Sequence, residues 1–218
     1  MIRLEHLTKT FTLEGRRKVV ARDICATFPA GRSVALLGRN GAGKSTLLAM
    51  IAGTIAPGSG RVVSSGTVSW PVGFAGSFHP DLSGLQNIRF IGRIYGVDTD
   101  ELAAFVEDFA GLGVHYRLPL RSYSSGMKSR LAFGASMGIA FDTYLVDEVT
   151  SVGDAAFRAR ADALFRERMR GAGAVVVSHS MSTLRRLCDC GAVLEDGRLT
   201  LFDDLEAAIA LHERNMER

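Results

Sequence analysis

The chain has 218 residues, 47% of them hydrophobic and 22% charged. That supplies the core of one large α/β domain or two small ones, and it excludes disordered, collagen-like, coiled-coil and disulfide-scaffold chains. A formal net charge of +3 is too small to point by itself to nucleic acid or an anionic membrane.

Ile2 to Leu7 alternates apolar and polar residues, the pattern of a half-buried strand. Gly15 to Lys18 reads as a solvated turn, and Val19 to Phe28 as a second extended stretch that Pro29-Ala30-Gly31 breaks. Ser33 to Leu37 is a short apolar run of the buried parallel kind. After glycine-rich residues 38 to 43, the spacing of Leu47, Leu48 and Ile51 predicts a helix that starts near Lys44 and stops at Gly53, with a turn at Pro57 to Gly60. The middle changes character: Leu82 to Tyr95, Thr99 to Phe109 and Gly126 to Ala140 have helical spacing with no strand between them. A β pattern resumes at Tyr144 to Val146. Then come a helix from Ala155 to Arg170, a strand from Ala174 to Val177 and a helix from Met181 to Cys188. Short strands at Ala192 to Glu195 and Leu199 to Phe202 precede a terminal helix from Asp203, whose Leu205, Ala208 and Ile209 would cover the sheet. The expectation is one α/β domain over residues 1–218, with a core of 1–79 and 141–218 and a helical subdomain at 80–140.

The strongest chemical signal is Gly38-Arg39-Asn40-Gly41-Ala42-Gly43-Lys44-Ser45, followed by Thr46: a complete phosphate-loop pattern between a strand and a helix. Glycines let backbone N–H groups turn inward around phosphate oxygens, and the helix that follows points its positive end at the same anion. Lys44 would reach the β- and γ-phosphates of a nucleoside triphosphate, and the Ser45 hydroxyl would ligate Mg²⁺. Tyr144-Leu145-Val146-Asp147-Glu148 is an apolar strand that ends in two acids at the sheet edge where ligands collect. Asp147 would hold Mg²⁺ through water, and Glu148 would orient and deprotonate the attacking water. A third strand ends in Ser178-His179, and His179 would emerge at the same edge to contact the γ-phosphate; a lone histidine at a strand end is more often structural, but its place after the two acids favours function.

No run approaches the ~18–20 apolar residues of a membrane span. Leu131 to Phe141, the longest apolar stretch, is interrupted by Gly134, Ser136 and Gly138, and the charged N-terminus is unlike a signal peptide. A soluble chain, or one held at a membrane only by a partner, is expected. Three cysteines, Cys25, Cys188 and Cys190, read as a reduced intracellular protein, and Cys188-x-Cys190 lacks the second ligand pair of a metal site.

These elements define a triphosphatase without saying which. Tyr123-Ser124-Ser125-Gly126-Met127, before a helix and about twenty residues ahead of Asp147, resembles the signature of the ATP-binding subunit of ABC transporters. Asp154 matches that family's aspartate loop, and Phe11 stands where the family places an aromatic that stacks on adenine. The resemblance implies a mixed sheet core with an antiparallel β part and an inserted helical subdomain. It implies ATP and Mg²⁺ as ligands, and a head-to-tail homodimer in which Ser124, Ser125 and Gly126 cover the γ-phosphate bound by the partner. It also implies an integral-membrane permease as partner, a place on the cytoplasmic face of the bacterial inner membrane, and no nucleic acid.

Departures from the family pattern narrow it. Ser125 and Met127 replace the usual glycine and glutamine of the signature. The family's glutamine loop should follow a strand near Val72 to Phe74, yet Phe74 to Phe78 holds no glutamine, and Gln86 is the only one in the chain. With Trp70 to Phe74 and Lys128 to Phe133, these features resemble the ATPases that export capsular polysaccharide. Exporters of O-antigen or teichoic acid, a non-transport ATPase and a P-loop kinase are the alternatives. Trp70, Phe78 and Phe90 would either dock a membrane helix or pack in the core. Arg158, Arg160, Arg166, Arg168 and Arg170 read as a solvated helix face, since the aromatics that nucleic-acid grooves use are scarce around them.

Overall fold

The computed structural model describes residues 1–13, 15–73, 76, 78–147 and 154–217, with backbone alone at 13 and 16. Its contacts divide the chain into two compact units: Met1–Pro71 with Phe141–Glu148 and Gly171–Arg218, and Val72–Ala140 with Val149–Arg170. No described helix is long and apolar enough to cross a membrane.

The first unit holds two sheets. Strands β1 (Ile2–Leu13), β2 (Arg16–Phe28) and β4 (Ser59–Ser64) form an antiparallel sheet in the order β2-β1-β4. The larger sheet has the order β5-β6-β7-β3-β8-β9, from β5 (Val68–Pro71), β6 (Thr143–Asp147), β7 (Gly173–Val177), β3 (Ser33–Leu37), β8 (Cys190–Glu195) and β9 (Arg198–Phe202). Its pairings are parallel except β8 with β9. Every residue of β3 and β7 is buried, as expected of strands covered on both faces. One apolar cluster joins Leu4, Ile24 and Phe28 of the antiparallel sheet to Leu36 and Val175 of the parallel one and to Leu48 of α1 (Lys44–Ile51). Helix α6 (Met181–Leu187) follows β7, and α7 (Leu205–Met216) closes the unit by packing on β8. A Cβ on Gly191 would stand 2.3 Å from the Ala208 methyl, so glycine there is what lets α7 lie close to the sheet.

Two expectations are corrected in this unit. Arg16 to Lys18 belong to β2 rather than to a solvated turn, because the hairpin ladder extends past the half-buried part; Phe11 pairs with Lys18. Ser59 and Gly60 open a strand that the turn reading missed. Gly60 has φ 76, and a Cβ there would lie 2.2 Å from the carbonyl oxygen of His6. Its glycine marks a close approach of strands rather than a turn.

The second unit is helical: α2 (Gly84–Tyr95), α3 (Thr99–Ala110), α4 (Ser125–Gly138) and α5 (Ala155–Met169), with 3-10 turns at Gly113–Arg117 and Leu120–Ser122. Every one of these α-helices starts on a side-chain cap, Ser83, Asp98, Ser124 or Asp154. The core is aromatic: Phe109 stacks on Phe133 at 5.7 Å and meets Phe157 edge-on at 5.2 Å. Gly138, where a Cβ would come 2.5 Å from Leu102 Cδ1, lets α3 approach α4. This explains the glycines that interrupt the Leu131 to Phe141 run.

The unit is wider than residues 80–140. It takes in α5, whose arginines are more than a solvated face: Arg160 lies over the Phe109 ring at 5.5 Å and pairs with Asp108, and Arg168 Nε donates to the Met137 carbonyl at 2.9 Å.

Candidate functional site

In the sheet unit, β3 ends at Leu37 and the chain turns through residues 38–43 into α1. Gly41 and Gly43 are left-handed, with φ 78 and 108. A Cβ at Gly43 would stand 2.2 Å from Val20 Cγ1, and one at Gly38 2.4 Å from the Leu194 carbonyl oxygen, so the loop is wedged between β2 and β8 where only glycine fits. Helix α1 has no acid in its first turn, which leaves its positive end free for an anion. Lys44 Nζ donates to the carbonyls of Gly38 at 2.7 Å and Arg39 at 3.1 Å, which holds the ammonium over the loop.

This loop opens on a pocket of about 450 Å³ lined by Phe11, Asn40, Gly41, Gly43, Lys44, Ser45, Thr46, Asp147 and His179. Sheet order brings the last two in. Asp147 ends β6 in register with Val177, and His179 lies two residues past Val177, the end of β7. Phe11 keeps 40% of its surface exposed, with Lys9 Nζ 5.1 Å from its ring centroid. Gly38 and Ala42 do not line this pocket. Gly38 anchors Lys44, and Ala42 lines a neighbouring cavity of about 1010 Å³ with Arg17, Arg22, Arg39 and Arg198.

Lys18 also lines this pocket and was not foreseen. Its Nζ lies 3.4 Å from where a Gly41 Cβ would be, which sets a second cation against the loop. The one signal for it is hairpin register opposite Phe11, which local pattern does not carry. Glu148 lies outside the described residues, as do Phe74, Ala75 and Ser77 of the segment that stands in for a glutamine loop. Gln86 has a structural task, closing the capping box of α2 with Ser83.

The helical unit carries the other predicted residues. Ser124 and Gly126 line a pocket of about 280 Å³ with His115, Met127 and Arg130; Ser125 is not among its lining residues. Ser124 Oγ accepts the Met127 N–H at 3.2 Å and so caps α4. Asp154 accepts the Phe157 N–H and pairs with Arg130, both at 2.9 Å. That N–H bond first, and the Arg130 charge after it, hold the Asp154 carboxyl below the usual carboxylate range. Arg130 also stacks on Phe157, 5.0 Å from its centroid, and no sequence motif singled it out. Neither pocket includes residues of the other unit.

Trp70 packs edge-on against Phe141 at 5.6 Å, whereas Phe90 is exposed. Cys188 and Cys190 are buried and free, and burial pushes the Cys188 thiol up to about 12.

Residues 21–151 match the profile of the family described as ABC transporter. The polysialic acid transport ATP-binding protein KpsT of Escherichia coli is 46% identical, over 96% of this chain and 95% of its own length. The capsule polysaccharide export ATP-binding protein CtrD of Neisseria meningitidis serogroup B is 41% identical, over 95% and 96%. Among solved structures, the dimeric post-hydrolysis state of the ATP-binding cassette MJ0796 bound to ADP and Pi superposes with a TM-score of 0.75. It is 20% identical over 91% of this chain and 96% of that one, which speaks for the fold.

Proposed function

This chain belongs to the ABC transporter family, and from that premise we propose that it is the ATPase subunit that powers export of capsular polysaccharide through a separate integral-membrane permease. The observation that carries the reading is the convergence of the glycine loop, Lys18, Lys44, Ser45, Asp147 and His179 on one pocket, with Phe11 at its edge. Glycine-only packing of the loop fits a triphosphate laid against its backbone N–H groups. The names of KpsT and CtrD support the polysaccharide; the pocket itself speaks only for the nucleotide.

Lys44 and Lys18 would draw the phosphates in, the α1 N-terminus would hold them, and Phe11 would stack on the base. The Ser45 hydroxyl and the Asp147 carboxylate are hard oxygen donors that open on the same pocket, a donor set that suits Mg²⁺. When bound there, Mg²⁺ supplies charge neutralisation at the β- and γ-phosphates. In the reaction a water oxygen attacks the γ-phosphorus in line, the bond from that phosphorus to the β–γ bridging oxygen breaks, and Glu148 takes the water proton as ADP leaves. Lys44 and His179 stabilise charge on the transferring group.

The helix start at Ser124 to Gly126 would complete the site from a second copy, so two ATPs are gripped in a head-to-tail homodimer at the cytoplasmic face of the inner membrane. Closing that dimer is the stroke the permease receives, and hydrolysis reopens it. Glu148→Gln is expected to retain ATP binding and to slow turnover by ~10²–10⁴-fold. Steady-state hydrolysis at the wild-type rate in that variant would reject Glu148 as the base.

A further inference from the structure

Three metal-ligating side chains meet on the antiparallel sheet, none of them among the residues that line the nucleotide pocket. His6 Nδ1 stands 2.9 Å from Asp23 Oδ1 and 3.6 Å from Cys25 Sγ, and the donor atoms of all three lie within 4.8 Å of one another.

Two opposed bulges create the meeting. Between the pairs Leu4–Ala26 and Leu7–Ile24 strand β1 carries an extra residue, and between Leu7–Ile24 and Lys9–Ala21 strand β2 does. His6 and Asp23 sit in these bulges at φ 50 each, a left-handed conformation uncommon outside glycine; among the described residues only Asp196 is another such non-glycine. The bulge at His6 is accommodated by the neighbouring strand, since Gly60 leaves room for its carbonyl. The bulge at Asp23 is held by an N–H bond to Thr8 Oγ1 at 3.0 Å. All three side chains are exposed to solvent.

The His6–Cys25 spacing is that of two ligands on one ion. Metal–nitrogen and metal–sulfur bonds of about 2.0 and 2.3 Å in a tetrahedron separate N from S by about 3.5 Å, close to the 3.6 Å observed here. The Asp23 carboxylate is exposed and can turn about its side-chain torsions to take the third position. The His6 backbone N–H already points at Cys25 Sγ, 3.4 Å away, the kind of outer contact that supports a thiolate ligand. A mixed nitrogen, oxygen and sulfur set suits a borderline ion such as Zn²⁺ rather than Mg²⁺ or Ca²⁺. We infer that His6, Asp23 and Cys25 bind a divalent transition-metal ion of the zinc type, which clamps β1 to β2 across both bulges. The fourth position is left to water, and the clamped hairpin is the one that carries Phe11 and Lys18.

The test is a Co²⁺ titration of the full-length protein followed by absorption, with Zn²⁺ as competitor. A thiolate-to-cobalt charge-transfer band is expected at one equivalent, displaced by Zn²⁺ and absent in Cys25→Ser; Cys188 and Cys190 are buried and do not compete. His6→Asn, whose new side chain tolerates the left-handed backbone, should weaken Co²⁺ by at least ~10-fold. No thiolate band in the wild type, or the same band in Cys25→Ser, overturns the site. Should Cys25→Ser fail to fold, His6→Asn decides: unchanged Co²⁺ affinity overturns the site as well.

Discussion

In the sheet unit Asp147 ends one strand, His179 lies just past its neighbour and Lys44 opens the helix after a third, so backbone pairing sets where they are. In the helical unit Ser124 and Asp154 are helix caps, placed by side-chain hydrogen bonds to the first turn of the helix each one starts. One region presents two lysines, two hydroxyls, a carboxylate and an imidazole to a single pocket. The other presents a helix start beside an arginine already paired with Asp154. On the proposed function this is a division of labour: the first region would hold a triphosphate by itself, and the second would gain its purpose against a ligand held by another copy.

The largest effect that would break this contrast is expected at Gly43. Gly43→Ala puts a methyl against Val20 in a conformation that L residues rarely adopt. Strain of about 1–3 kcal/mol plus a displaced loop should cost ATP affinity ~10²-fold or more, measured by calorimetry; unchanged affinity would mean the loop is not the cradle. Phe11→Ala comes next. Loss of stacking, about 1–3 kcal/mol, should weaken ATP but spare inorganic triphosphate, and an equal loss for both would remove the base from Phe11.

Ser124→Ala sharpens the contrast from the other side. Loss of the α4 cap should lower stability by about 1 kcal/mol in urea unfolding and leave ATP affinity of the isolated chain unchanged, while hydrolysis falls. A matching fall in affinity would show that the two regions do not divide the work as described. The smallest effect is with pH. The backbone N–H bonds to Asp98 and the contacts of Asp154 hold both carboxyls below their ordinary range. Each therefore binds its proton less tightly folded than unfolded. It adds stability above the unfolded value of about 4 and loses it as pH falls through the lower folded value. Amide exchange in α3 and α5 should accelerate in that acid window before it does in β3 and β7; simultaneous loss would contradict the assignment.

Legibility in the sequence followed the range of the interaction. The β3–loop–α1 segment was readable because strand burial, glycine turn and helix start are all local, and the strand ends at Asp147 and Val177 for the same reason. Gly60 and Gly191 were opaque, since each exists for a neighbour far along the chain, the His6 carbonyl and the Ala208 methyl. Lys18 was missed because it reaches the pocket through hairpin register. The arginines of α5 read as solvated because charge pattern does not reveal that Phe109 and Met137 lie beneath two of them.

The central claim is that ATP is held between two copies of the chain. Light scattering of Glu148→Gln at saturating Mg²⁺ and ATP tests it most directly. A mass of two chains that returns to one when ATP is removed is the predicted result, and a variant saturated with ATP yet monomeric would contradict it.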